Sequence, residues 1–269
     1  MKRLLWRPAM LSVGLKLWLV MATLATITTG YGFYRYREQQ IDKLYAEAAG
    51  LPPAFRGTVE AQAAVKKLGT YRGDRTTVML LNIALGRTSF PWADVQREAM
   101  NALAARRDPK ISASLANLLQ PHVISATRLA AADALQTLPC SGECIMSILH
   151  YLERVWQGEP NIEDRTTFPP GLDEGVKADL AKDQEVLYQK LYVVLRREAR
   201  STIEALCLVY GLGTDTPSRF SLTLLSRMKL REACAAVLES DRVLKQSTAD
   251  LFQAPRDEVE VTLHALGCQ

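Results

Sequence analysis

The chain has 269 residues, of which 48% are hydrophobic and 23% charged, with 15 glycines and 12 prolines. This composition excludes a disordered, collagen-like or proline-rich protein. Aromatic residues make up only 7%, and the abundance of alanine and leucine favours packed helices over β-sheets. The net charge of +4 arises in residues 1–37, which hold six basic residues and no acidic one. The remainder carries no basic excess, so we expect no nucleic-acid partner.

Residues 11–34 are predicted to form a transmembrane signal anchor. The seventeen residues Leu17–Phe33 contain no charged side chain, and about 20 apolar residues of helix cross a bilayer. Trp18 lies near one end and Tyr31 and Tyr34 near the other, which is the placement of an aromatic belt at the two membrane surfaces.

The basic residues on either side of this segment predict its orientation. Lys2, Arg3, Arg7 and Lys16 precede the apolar run, whereas Arg35 and Arg37 follow it. The imbalance predicts that residues 1–10 are cytoplasmic and that the bulk of the chain is exported, in a periplasmic or other extracytoplasmic space. Two alternatives stay open. One is a cleaved signal peptide, for which residues 22–30 offer only weak cleavage sites, and the other is a buried core helix.

Residues 35–58 are predicted to form a juxtamembrane helix and a linker. Ile41, Leu44 and Ala48 fall on one helical face. The Gly-Leu-Pro-Pro sequence at 50–53 ends this helix, since proline cannot continue it.

Residues 59–156 are predicted to be helical and repetitive. Val95, Ala99 and Leu103 lie on one face of a first helix, the Asp108-Pro109 step breaks it, and a second apolar helix follows from residue 111 to 119. The same pattern recurs 32 or 33 residues later, and a weaker copy precedes it over residues 63–85.

The two clear copies resemble short bacterial HEAT repeats. One is VQREAMNALAARRDPKISASLANLL, from residue 95 to 119, and the other is TRLAAADALQTLPCSGECIMSILHYL, from 127 to 152. Arg128 stands at the family's arginine position, where the earlier copy has Gln96, and Cys140-Ser141 replaces the family's Asp-Pro turn. The resemblance implies an all-α fold, a HEAT-like α-solenoid of stacked helix pairs whose surfaces bind other proteins.

The second half of the chain begins with an acidic, Pro- and Gly-rich segment, residues 157–175, which is either a solvated insertion or a partner-binding loop. Residues 176–269 return to helical spacing and are either degenerate repeats or a cap. Gly211 and Gly213 predict a helix end. Thr216-Pro217 predicts the next helix start, and Pro255 the start of the last helix.

The five cysteines include one conspicuous pair, Cys140 and Cys144, at the interhelical turn of the second clear repeat. A disulfide, two unpaired thiols, a redox dithiol and a metal site all stay open for this pair, because the C-x-x-x-C spacing is neither that of thioredoxin nor part of a four-ligand zinc pattern. Cys207 and Cys234 lie on apolar helix faces and are predicted to be core residues. Cys268 is predicted to be free.

Residues that would support catalysis or cofactor binding form no recognisable motif. His122, His150 and His264 lack partners at metal-ligand spacing, the pair Asp173-Glu174 is typical of solvated charge, and phosphate-binding glycine motifs are absent. We therefore expect no cofactor, no metal and no enzymatic activity.

The sequence instead predicts a membrane-tethered scaffold or adaptor for a protein partner that it does not identify. An exported maturation factor, by analogy with the chromophore lyases among HEAT-like proteins, and a thiol-redox protein using Cys140 and Cys144 are the alternatives.

Overall fold

The computed structural model describes residues 13–89, 92–120, 123–157, 174–213, 217–246 and 253–268. These residues form twelve α-helices and two short 3-10 helices, with no strand among them, which confirms the all-α prediction. The α-helices in chain order are α1 (Val13–Ala48), α2 (Thr58–Thr70), α3 (Asp74–Ala84), α4 (Ala93–Ala104), α5 (Pro109–Ala116), α6 (Ser125–Thr137), α7 (Gly142–Trp156), α8 (Glu174–Arg197), α9 (Ala199–Val209), α10 (Arg219–Met228), α11 (Cys234–Gln246) and α12 (Gln253–Leu266).

Helix α1 is continuous across the predicted boundary between residues 34 and 35. Its two halves differ in surroundings. Described side chains from 18 to 37 are almost all exposed, whereas Ile41, Leu44 and Ala48 are buried against the rest of the molecule. None of the helices in the described part of the chain combines the length and apolarity of a membrane-crossing segment.

Polar contacts hold the second half of α1 against α2 and α3. The Arg75 guanidinium pairs with the carboxylates of Glu38 and Asp42. Arg37 Nη2 donates to the Arg72 carbonyl oxygen at 3.4 Å, and its guanidinium lies 5.7 Å from the centre of the Tyr71 ring. These contacts and the buried face of α1 together fix the orientation of α1 relative to α2 and α3.

The helices from α2 to α9 pack in two rows. Helices α2, α4, α6 and α8 lie side by side, and α3, α5, α7 and α9 form the second row. Leu68, Leu103 and Leu135 of the first row are fully buried, as are Leu115 and other apolar residues of the second. Alternating helices therefore share one continuous apolar core, because each buries its apolar stripe against its neighbours.

The interhelical turns follow the local chemistry of their residues. Asp108 caps α5 by accepting a hydrogen bond from the Lys110 backbone N–H at 3.0 Å, with Pro109 in the first turn. Ser141 caps α7 through the Cys144 N–H at 3.4 Å. Thus the turn that lacks the Asp-Pro step still has a side-chain oxygen at its helix start.

The C-terminal helices α10, α11 and α12 pack on one another and on the end of the two rows. Phe220 of α10 lies 5.1 Å from the ring of Tyr210 and 6.1 Å from that of Trp156. Helix α10 begins at Arg219, two residues after the predicted Pro217, and Thr216 lies outside the described residues. Helix α12 begins at Gln253, two residues before the predicted Pro255.

At Gly69, helices α2 and α4 lie close together. A Cβ at Gly69 would lie 2.9 Å from the Ala102 Cβ, so we expect Gly69→Ala to lower the free energy of unfolding by about 1–3 kcal/mol through overpacking. Urea unfolding measures this change. The double variant Gly69→Ala/Ala102→Gly should recover most of the loss. Gly142→Ala, where a Cβ meets nothing within 4 Å, should be near neutral. A stable Gly69→Ala protein would show that the two helices can separate without cost.

Candidate functional site

The structure joins Cys140 and Cys144 in a disulfide across the α6–α7 turn, with an S–S distance of 2.05 Å. The exposed fraction is 9% for Cys140 and 0% for Cys144. The Cys140 backbone N–H donates to Glu198 Oε1 at 3.4 Å, which ties this turn to the start of α9. Buried sulfurs are poorly accessible to an attacking thiolate, so this geometry suits a structural staple better than a redox dithiol.

A second disulfide joins Cys234 at the start of α11 to Cys268 after α12, with a sequence separation of 34. The prediction that Cys234 is a core residue and Cys268 free is therefore wrong. Helices α11 and α12 pack together and bring the two sulfurs into contact, and no local pattern signals a pair so far apart. Cys207 is unpaired, and burial raises the pKa of its thiol.

The histidines and acidic residues considered in the sequence analysis do not come together in a site. His150 is exposed on α7 with its Nδ1 3.7 Å from Glu153 Oε2, and His264 lies exposed near the end of α12. His122 and Asp173 lie outside the described residues. Among the side chains that the structure describes, no group of three or more His, Cys, Asp or Glu is arranged to hold a metal ion.

The most enclosed of the surface clefts described is formed by α7, α8 and α10 and has a volume of about 210 Å³. We call it the aromatic cleft. Its lining residues are Leu152, Val155, Trp156, Tyr188, Tyr192, Phe220, Thr223, Leu224 and Arg227. Helical spacing explains this set, because Tyr188 and Tyr192 are one turn apart on α8, and Phe220, Leu224 and Arg227 follow each other on one face of α10.

Aromatic rings form the walls of this cleft. The Tyr188 and Tyr192 rings stack with centroids 6.4 Å apart. Trp156, the last residue of α7, is 47% exposed and packs against Phe220 from the other side. Such rings provide a large, rigid contact area for an apolar group.

The charge in the aromatic cleft comes from Arg227, which is exposed. Burial raises the pKa of both Tyr188 and Tyr192. Hydrogen bonds from Gln184 to Tyr188 and from Arg227 to Tyr192, together with the positive charge of Arg227, partly offset this rise. The two phenols therefore stay neutral at physiological pH. In the described part of the chain, no carboxylate lies within ion-pair distance of Arg227, so its guanidinium can take a negative group from outside.

A second groove of about 480 Å³ adjoins the aromatic cleft and shares Trp156, Thr223 and Arg227 with it. It extends past the Arg219–Glu258 ion pair, whose Nε and Oε1 atoms are 2.5 Å apart, to Val261, which is 67% exposed. A small apolar cavity beside a longer, partly charged groove fits one large apolar side chain of a peptide and its polar neighbours.

Behind the cleft, Tyr210 and Glu153 form a partly buried pair. Burial, the charge of Glu153 and a hydrogen bond to it together raise the pKa of Tyr210 to about 12. Gln157 Nε2 also donates to Glu153 Oε1, at 3.3 Å. This arrangement keeps the Tyr210 phenol protonated and fixes it beside Phe220.

The raised pKa of Tyr210 predicts a pH dependence of stability. Above pH 10 an unfolded tyrosine ionises while folded Tyr210 keeps its proton, so the free energy of unfolding should fall between about pH 10 and 12. Urea unfolding at several pH values measures this fall. It should be smaller in Tyr210→Phe, and Glu153→Gln should lower the Tyr210 pKa in an ultraviolet titration. An unchanged titration in Glu153→Gln would remove Glu153 as a cause.

Comparison of the chain with protein-family models, with curated proteins and with solved structures finds no match. The resemblance to HEAT repeats therefore stays a prediction from the residues themselves. The aromatic cleft was not predicted from the sequence. The only local signal for it is the pair of tyrosines one helical turn apart, in a chain with few aromatic residues.

Proposed function

We propose that this protein is a membrane-tethered scaffold or adaptor. Residues 11–34 anchor it, and a HEAT-like helical solenoid outside the cytoplasm binds a protein partner. The observation that carries the proposal is α1, a single helix whose first described half is exposed and whose second half belongs to the core. In such a chain, α1 would hold the helical core at a fixed distance from the membrane that surrounds its first half.

The exposed half of α1 has the chemistry of a lipid-facing helix. Its large exposed side chains include Met21, Leu24 and Ile27. The hydroxyls of Thr23, Thr26, Thr28 and Thr29 donate to carbonyl oxygens of the preceding turn at 2.5–3.1 Å. Internally bonded hydroxyls need no water, as a bilayer interior requires. The predicted span starts at residue 11, ahead of the described residues.

The two rows of helices support a solenoid. Thr127 of α6 donates a buried hydrogen bond to Gln96 Oε1 of α4 at 3.2 Å, which joins the first turns of two neighbouring first-row helices. Gln96 and its repeat equivalent Arg128 are both buried, with exposed fractions of 7% and 3%. Equivalent residues thus occupy equivalent environments, as stacked repeats require.

We assign partner binding to the aromatic cleft and its adjoining groove. A peptide that inserts one apolar or aromatic side chain between Trp156 and Tyr188 can place an acidic neighbour at Arg227. Interface residues with the largest binding contributions are commonly Trp, Tyr and Arg, and all three occur here.

Site-specific photo-crosslinking in the native cells tests this function. A photoreactive phenylalanine analogue replaces Trp156 in the full-length chain, and the matched control carries it at Leu238, which is 45% exposed on α11. We expect a discrete crosslinked envelope protein from position 156 alone, and its loss when Arg227→Glu is added. Identical products from both positions, or a cytoplasmic partner, would overturn the proposal.

A further inference from the structure

The turns that end the first-row helices form one edge of the molecule. Helices α4 and α6 run parallel, since Gln96 and Thr127 meet near their starts. Helices α2 and α4 also meet near their ends, where Gly69 faces Ala102. We call the segments that follow α2, α4, α6 and α8 the turn row; it comprises residues 71–74, 105–110, 138–143 and 196–200.

Hydrogen bonds between successive segments hold the turn row together. Arg106 after α4 donates to the Tyr71 carbonyl at 2.8 Å and to the Gly73 carbonyl at 3.3 Å. Arg197 at the end of α8 donates to the carbonyls of Leu135, at 3.4 Å, and of Leu138. The first two segments of the turn row are therefore fixed to each other, and so are the last two.

The turn row starts beside α1, just beyond the proposed membrane span. Arg37 contacts the Arg72 carbonyl, and Arg75 pairs with Glu38 and Asp42. Arg37 lies three residues, or about 4.5 Å of helix, beyond residue 34, where the proposed membrane span ends. The polar headgroup layer of one leaflet is roughly 5–7 Å thick, so the proposed anchor places the first segment of the turn row, residues 71–74, at headgroup depth.

The turn row carries a net positive charge. The turn row contains seven basic and four acidic residues. We call the connections at the opposite ends of the helices, which include residues 49–57 and 85–89, the far ends. Arg72, Arg107 and Lys110 of the turn row are exposed. A surface with this charge, at this depth, is complementary to anionic phospholipid headgroups.

We propose that the turn row lies on the anionic phospholipid surface of the membrane that holds α1, so that the helix stack extends along the bilayer. This inference rests on the proposed membrane anchor. It places the aromatic cleft, formed farther along the stack by α7, α8 and α10, within reach of partners in the same membrane.

Fluorescence quenching in nanodiscs tests the inference with the full chain. In a Cys207→Ser background, a bimane probe is attached at Ala105→Cys in the turn row or at Ser89→Cys at a far end. Both positions are exposed, and the discs carry a nitroxide on a fraction of the lipid headgroups. With about 30% phosphatidylglycerol, quenching at 105 should exceed quenching at 89 at least twofold. It should weaken in pure phosphatidylcholine and at high salt, because the attraction is electrostatic.

Charge reversal provides the matched comparison. Arg72→Glu/Arg107→Glu should reduce quenching at 105 to the level at 89, whereas Arg56→Glu/Arg87→Glu, which reverses two exposed arginines at the far ends, should leave it unchanged. Equal quenching at 105 and 89, or no dependence on anionic lipid, would overturn the inference. Failure of the unlabelled chain to co-elute with nanodiscs would overturn the anchor, and with it the proposed function.

Discussion

We expect the double variant Cys234→Ser/Cys268→Ser to lose about 4 kcal/mol of unfolding free energy, from the loop-closure entropy of a cross-link over 34 residues. The bond ties the end of α12 to the start of α11. Without it the C-terminal helix is held by non-covalent contacts alone, including those of the buried Val259 and Leu266 and the Arg219–Glu258 ion pair. Urea unfolding of the oxidised protein and the variant measures the difference.

The first disulfide supplies a matched control. It closes a loop with a separation of 4 residues, so Cys140→Ser/Cys144→Ser should cost only about 2 kcal/mol by the same entropy argument. A maleimide reagent should label one cysteine per unfolded, unreduced chain, Cys207. Five labelled cysteines would show that both bonds are absent in the cell and that the domain is in a reducing compartment. Equal losses of stability in the two double variants would contradict the entropic account.

Leu24→Arg/Ile27→Arg should release the full-length protein from the membrane fraction. Each arginine near the centre of a bilayer-spanning helix costs about 2.5–3.5 kcal/mol, so the pair opposes insertion by about 5–7 kcal/mol and shifts the distribution more than a thousandfold. Leu24 and Ile27 are exposed, at 51% and 65%, so the domain core stays intact. Carbonate extraction followed by immunoblotting measures the soluble fraction.

The control variant for this experiment changes an exposed apolar residue away from α1. Leu208 on α9 is 85% exposed, and Leu208→Arg should leave the protein in the membrane pellet. If the wild-type chain is extracted by carbonate, or if Leu24→Arg/Ile27→Arg stays in the pellet, residues 11–34 are not the anchor.

Most helices of this protein can be predicted from the sequence because their signals are local. The apolar spacing of Val95, Ala99 and Leu103 indicates a buried face, and the structure buries all three. The Asp108-Pro109 step stops one helix and caps the next, since proline has no backbone N–H and aspartate accepts one. Even the weak first copy, residues 63–85, falls on the helix pair α2 and α3.

The candidate site could be predicted only in part. The Cys140–Cys144 pair was visible because the two cysteines are only four positions apart, although the sequence left its redox state open. The aromatic cleft was not visible, because Trp156, Tyr188 and Phe220 come from three helices and meet only when those helices pack.

The sequence by itself determined the all-α class, the periodic apolar faces, most of the helix boundaries and the charge division at residue 37, because each depends on residues within a few turns of one another. Only the tertiary structure decided the Cys234–Cys268 bond, the aromatic cleft, the joining of α1 to the core and the alignment of the turn row. Each of these depends on the packing of separate helices, and the free energy of that packing comes from many weak contacts between residues far apart in the chain.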